Sequence, residues 1–219
     1  MTEHYFSEGV PATDAERRRL SVRLAGQDVV VETAGGVFSA GALDKATQVL
    51  LEEVEPPPTT GQALDLGCGW GPIALELALR SPGLDVTAVD VNERALDLVR
   101  RNAAALGCER VRAVRADAVD PDVRYDVIWS NPPIRIGKAA LHELLRTWLP
   151  RLAPHGQAWL VVGKNLGADS LQRWVESELD LRSPGLDVTA VDVNERALDL
   201  VRRNAAALGC ERVRAVRAD

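Results

Sequence analysis

The sequence is poor in the residues that hold metals and staple small folds, with three histidines and three cysteines in 219 positions. Cys68, Cys108 and Cys210 show no paired metal-ligand spacing, and Cys210 lies in a segment that repeats the one carrying Cys108. Neither a disulfide framework nor a metal site is therefore expected. No apolar run approaches the roughly 20 residues that cross a bilayer. The first residues, "MTEHYFSEGV", also lack a basic stretch followed by an apolar core, so a cytoplasmic protein without membrane contact is expected. Positive charge is in deficit as well. A net charge of -6 argues against holding nucleic acid by bulk electrostatics. The one dense basic stretch that a structured RNA could use is "AERRRLSVRL" near the start.

What is present is an ordinary soluble composition, 46% hydrophobic and 26% charged, in a chain long enough for one domain of good size. Residues 79–117 recur without a mismatch as residues 181–219, and "ELALRSPGLD" at the first junction meets "ELDLRSPGLD" at the second. Repeat architectures generally need about three units or more, so two perfect copies point to a recent event or an assembly fault in the sequence. Residues 1–55 read as an amino-terminal extension, in which "DVVVETAGGVF" suggests a strand and a turn at Gly35 and Gly36. The run "EPPPTTG" at residues 55–61 breaks regular structure, as a linker would, at the entry to residues 56–180.

There strand-like and helix-like segments alternate: "QALDLGCG", "PIALELALR", "DVTAVDV", "ERALDLVRRNAAALG", "VRAVRAD" and "YDVIWSNPP". A helix over residues 139–152, a strand "QAWLVVG" and a helix over residues 170–179 follow. This order predicts parallel strands joined by crossovers, an α/β doubly wound Rossmann-like sheet with helices on both faces. Ligands of such a sheet bind beyond the carboxyl ends of its strands, where strand order reverses.

Three strand ends carry unusual residues. In "LDLGCGWGP", Gly67, Gly69 and Gly71 would let the backbone turn tightly and approach a ligand, or simply join strand to helix. The spacing G-x-G-x-G, with Asp65 ahead of it, departs from the dinucleotide fingerprint and suits a cationic ligand better than a phosphate. Asp90 ends the next strand, where a carboxylate can accept both ribose hydroxyls, beside Asn92 as a helix cap. Asp117 closes the third strand, where it could accept from an adenine amino group or stand as an exposed loop residue.

Together with "SNPPI" after the fourth strand, these features resemble the class I S-adenosylmethionine-dependent methyltransferases. More narrowly, the chain resembles the small-domain group that contains the 16S rRNA guanine-N2 methyltransferases. The likeness extends to "HYFS" at residues 4–7, "GGVFSAGALDKATQVLL" at residues 35–51 and "NPPIRIGK" at residues 131–138. The resemblance implies S-adenosylmethionine as cofactor, with Asp65, Gly67, Gly69 and Gly71 around its methionine part, Asp90 on its ribose, and Asp117 with Ala118 facing its adenine. It implies a catalytic loop of Asn131, Pro132 and Pro133, with Asn131 also beside the cofactor.

Such a loop answers a chemical need. A conjugated amine has a delocalised lone pair, and acceptors such as the Asn131 side-chain oxygen and the Pro132 carbonyl can hold its hydrogens in a geometry favouring transfer. The bland alternative for two successive prolines is a rigid loop. Ile134 stands where the family often has an aromatic residue against the substrate base. Arg135 and Lys138 are weak candidates for RNA phosphates, and equally for solvated charges.

The expected activity is methyl transfer to an exocyclic amino nitrogen, guanine N2 of 16S rRNA, with structured RNA or the small ribosomal subunit as partner and the oligomeric state open. The alternatives are a glutamine N5 methyltransferase acting on protein and a cofactor-binding module without turnover. A dehydrogenase-like nucleotide binder is disfavoured by the glycine spacing. The second copy carries Asp192 and Asp219 but no glycine loop and no "NPP", so function is assigned to the first copy. The family fold normally finishes with an antiparallel pair of strands. Here residues 187–193 are expected to add to the sheet and the rest of the copy to pack irregularly or be mobile.

Overall fold

A computed structural model describes residues 9–133, 136–162, 171, 174, 175, 177, 187–192 and 213–217. The chain opens with an antiparallel hairpin, β1 (Arg17–Leu24) and β2 (Gln27–Ala34), paired from Arg17↔Ala34 to Leu24↔Gln27. Ala25 and Gly26 both take positive φ in its two-residue turn, the geometry that matches the twist of paired strands. The basic stretch is therefore a strand. Val22 and Leu24 are buried, whereas Arg17 pairs with Asp14 and Glu32, and Arg23 with Asp28.

Helix α1 (Lys45–Glu53) leads into the main sheet. Its elements are β3 (Thr60–Leu66), α2 (Pro72–Arg80), β4 (Gly83–Val89), α3 (Glu93–Ala105), β5 (Val111–Val114), β6 (Tyr125–Ser130), α4 (Lys138–Trp148), β7 (Leu152–Val161), β8 (Asp187–Asp192) and β9 (Val213–Arg217). Strand order is β5-β4-β3-β6-β7-β8-β9, and each pairing is parallel. From β3 the chain builds outward one way and from β6 the other, so the order reverses between these two strands.

Side-chain alternation divides the core between the two faces of the sheet. Ala63, Val86, Val127 and Trp129 pack with α1, α2, α3 and the hairpin, while Leu64, Leu66, Ile128 and Leu160 pack with Leu141, Leu145 and Trp148 of α4. The sheet is thus doubly wound and Rossmann-like. Two polar side chains tie the hairpin down. Glu76 of α2 accepts from Ala25 N at 2.6 Å, and buried Asn102 of α3 exchanges bonds with Glu32 N and O at 2.7 and 3.0 Å.

The fourth helix is shorter than the sequence pattern predicts. It stops at Trp148 and a 3-10 turn covers Leu149–Arg151, because Pro150 lacks an N–H and its ring opposes the helical carbonyl four residues back. The strand after it starts earlier, at Leu152, through a register shift opposite Tyr125 and Val127. The end of the chain also differs. Residues 187–192 add to the sheet as expected, but Val213–Arg217 adds to it as well, in parallel. The pairings Val188↔Val213 to Val191↔Val216 repeat, copy for copy, Val86↔Val111 to Val89↔Val114. The expected helix over residues 170–179 lies largely outside the described residues.

Candidate functional site

The site lies where strand order reverses, at the carboxyl ends of β3, β4 and β6. A cavity of about 520 Å³ opens there, bounded by Leu66, Gly67 and Gly69 after β3, Asp90 and Asn92 after β4, and Asn131, Pro132 and Pro133 after β6. That volume suits a nucleoside-sized ligand. Phe38 and Ser39 from the segment after the hairpin, Asp44 before α1, and Trp148 of α4 also line the wall.

The glycine turn is built by backbone conformation. Gly67 and Gly69 take φ of 81° and 54°, a region that disfavours side chains. The N–H groups of Gly67 and Cys68 donate to Val89 O at 2.9 and 3.0 Å, which folds the turn back over β4. Gly71 has a different task. It is absent from the cavity lining, and a Cβ on it would stand 3.0 Å from Val99 Cγ2, so it lets α2 approach α3.

Asp90 is held from both sides: Oδ2 accepts from Gly69 N and Oδ1 from Asn92 N, each at 2.9 Å. Burial raises its pKa above the usual carboxylate range, against the lowering effect of those N–H donors. Each oxygen retains acceptor capacity for a ligand hydroxyl. Asn92 caps α3, as the sequence suggests, and also donates to Gly36 O at 2.8 Å, which anchors the segment carrying Phe38 and Ser39.

Asp65 stands beneath the turn and outside the cavity lining. It is fully buried, its Oδ2 accepts from Ala74 N at 2.9 Å, and its Oδ1 has no partner among the described residues. Burial first, then the charge of Asp90, push its pKa up to about 8, although the Ala74 N–H opposes the shift. Asp117 and Ala118 also stand outside the lining. β5 ends at Val114, and the following 3-10 turn leaves the Asp117 carboxylate exposed, so Ala116 forms the wall at that corner. Ile134 and Arg135 lie outside the described residues, as does "HYFS". Lys138 is exposed at the start of α4.

The sequence reading missed Asp44 and Thr47. Asn131 Nδ2 donates to Asp44 Oδ2 at 2.9 Å and to Thr47 Oγ1 at 3.0 Å. Asp44 also caps α1, its Oδ2 accepting from Ala46 N and Thr47 N. An Asp directly before a helical stretch signals that cap, but no local spacing signals its tie to Asn131. Beneath this loop, Ser130 Oγ donates to Leu66 O at 2.6 Å and joins the ends of β6 and β3.

The arrangement provides a nucleoside-sized cavity, two carboxylates in its lining, Asp44 and Asp90, suited to a cation, and a fixed amide in the same wall. Among the described residues no group of three or more His, Cys, Asp and Glu could hold a metal, and no helix is long and apolar enough to cross a membrane.

A family model described as a methyltransferase small domain matches residues 28–179. The uncharacterized protein YbxB of Bacillus subtilis is 35% identical over 183 residues, 82% of this chain and 90% of that protein. A release factor glutamine methyltransferase of Chlorobaculum tepidum is 48% identical over 135 residues, 58% of this chain and 42% of that protein. Among solved structures, a 16S rRNA N2 methyltransferase of T. thermophilus in complex with AdoMet and guanosine is 29% identical, with a TM-score of 0.58. The match covers 67% of this chain and 42% of that one. The chain thus spans less than half the length of the last two proteins.

Proposed function

Because the chain belongs to the methyltransferase small domain family, whose methyl donor is S-adenosylmethionine, we propose that it methylates guanine N2 of small-subunit ribosomal RNA. The observation that carries this reading is the place of Asn131, Pro132 and Pro133 in the cavity wall opposite Asp90, with the Asn131 amide fixed by Asp44 and Thr47. A structural relative that holds both AdoMet and guanosine supports the same substrate class.

The residues present fit the cofactor. Gly67 and Gly69 leave room for close approach, and Asp90 offers acceptors to ribose. When bound, S-adenosylmethionine supplies a methyl group already activated on a sulfonium. The task of the protein is then positioning. The Asn131 Oδ1 and the Pro132 carbonyl accept the two amine hydrogens, which turns the nitrogen lone pair out of conjugation and toward the methyl group. Pro132 is buried, which keeps water from its side of the loop.

One observation favours a second reading. The relative with 48% identity is a release factor glutamine methyltransferase, and a side-chain amide presents the same delocalised lone pair. Methyl-labelled cofactor, incubated with small ribosomal subunits in one arm and a peptide release factor in the other, separates the two. Label in 16S rRNA at guanine N2 is expected, and label in the release factor alone would replace the first reading with the second. The variant Asn131→Ala should keep its cofactor affinity by calorimetry and lose transfer, because its interaction belongs to the transition state. Full turnover in that variant would remove Asn131 from catalysis. Within the chain, we assign cofactor binding chiefly to residues 56–180, packing on that core and one side of the cavity wall to residues 1–55, and no catalytic part to residues 181–219.

A further inference from the structure

Resting on the reading that Asn131 orients the acceptor amine, we propose that Asp44 and Thr47 are positioning residues that decide which end of the Asn131 amide faces the cavity. An asparagine side chain has one acceptor oxygen and an NH2 group with two hydrogens. Here both hydrogens are committed, one to Asp44 Oδ2 at 2.9 Å and one to Thr47 Oγ1 at 3.0 Å. The remaining end, Oδ1, can only accept, which is what an amine hydrogen requires.

The orientation follows from chemistry. An ionised carboxylate has no hydrogen to donate, so turning the amide over would set its oxygen against Asp44 Oδ2 and leave the NH2 facing the incoming amine. Either contact is repulsive. The pair of acceptors is itself immobilised. Asp44 Oδ2 takes the N–H groups of Ala46 and Thr47 at 2.9 and 3.1 Å, and Thr47 is 3% exposed in the first turn of α1. The end of a helix thus serves as a fixed template for a side chain on the loop after β6. Donation to a charged acceptor also polarises the amide and strengthens Oδ1 as an acceptor.

Thr47 stands outside the cavity lining and acts through Asn131, so its loss should slow transfer without weakening binding, whereas Asp44 also faces the cavity and its replacement is read at saturating cofactor. Thr47→Val keeps the shape and removes the hydroxyl. Its kcat on small ribosomal subunits should fall roughly tenfold, the worth of about one hydrogen bond, with KM and cofactor affinity unchanged. Thr47→Ser should restore the wild-type rate. Asp44→Ser retains a helix cap but falls short of Asn131, and its kcat should drop on the order of 10- to 100-fold, since the lost acceptor is charged.

A readout independent of turnover is the side-chain amide resonance of Asn131 in 15N-labelled protein, identified by its absence in Asn131→Ala. It should shift in Thr47→Val and Asp44→Ser and stay in place in Thr47→Ser. An unchanged resonance together with a wild-type kcat in Thr47→Val overturns the proposal. So does a Thr47→Ser variant as slow as Thr47→Val, which would assign the effect to packing. Wild-type turnover by Asn131→Ala would sink the catalytic reading alone, because the resonance still reports whether the amide is held.

Discussion

Replacing Asp65 by asparagine should remove a pH dependence that the fold carries at the floor of the glycine turn. The carboxyl is fully buried, accepts one hydrogen bond from Ala74 N, and titrates at about 8. In the unfolded chain an aspartate titrates near 3.9. Between these values the native protein binds one proton more than the unfolded chain, so stability falls as pH rises. The contribution is fully present below about pH 4 and is lost as pH climbs through 8. Between pH 5 and 8 the loss amounts to roughly 3 to 4 kcal/mol, at about 1.4 kcal/mol for each unit of proton linkage. In Asp65→Asn the side-chain oxygen still accepts from Ala74 N and nothing titrates. Urea unfolding of the cofactor-free protein at pH 5, 6, 7 and 8 reads this directly. The wild type should lose stability relative to the variant across the series. Asp90, whose pKa is raised in the same direction, remains in both proteins and enters the difference only through its charge coupling to Asp65. Parallel pH profiles for the two proteins would refute the reasoning, since Asp65 would then have to fold as a carboxylate.

Three further outcomes follow from the geometry. Gly71→Ala forces a side chain into φ of 97° and 3.0 Å from Val99 Cγ2, so it should cost about 1–3 kcal/mol; an unchanged thermal midpoint would contradict the packing role. Asn102→Ala strands Glu32 N and O and Trp70 O, all bonded by one buried side chain, and should cost about 2–4 kcal/mol. Trypsin should then cut the arginines of β1 faster, and wild-type protection would show that the hairpin does not depend on this tether. Asp90→Ala should weaken cofactor binding at least tenfold, about one hydrogen bond to a charged group, whereas Asp192→Ala leaves it unchanged. Equal losses in calorimetry would bring the second copy into the site.

The features legible in the sequence are those written locally. The alternation of strands and helices, the glycine turn after β3, the cap at Asn92 and the "NPP" loop after β6 each depend on neighbours within a few positions. The misreadings have local causes too. Four arginines in β1 hide its inward alternation of Val22 and Leu24, and Pro150 ends α4 earlier than its apolar period suggests. The contacts that were illegible are long-range. Asp44 and Thr47 meet Asn131 across separations of 87 and 84 residues, and Asn102 meets Glu32 across 70. No spacing rule reaches that far. The resemblance implies Asp65 around the methionine part of the ligand; in the fold strand alternation turns its side chain inward, where Oδ2 accepts from Ala74 N of α2.

The matching registers of β4 with β5 and β8 with β9 set a problem for folding. The surface that β3 recognises in its neighbour exists twice in one chain, so a second arrangement with the copies exchanged would satisfy much of the same ladder. The tie is broken by connection. Only Ser81 and Pro82 separate α2 from β4, whereas the second copy must return from beyond β7, and the longer loop closes at greater entropic cost. During synthesis the first copy also leaves the ribosome earlier. Refolding from denaturant removes that head start, so the difference in loop closure alone then favours the first copy.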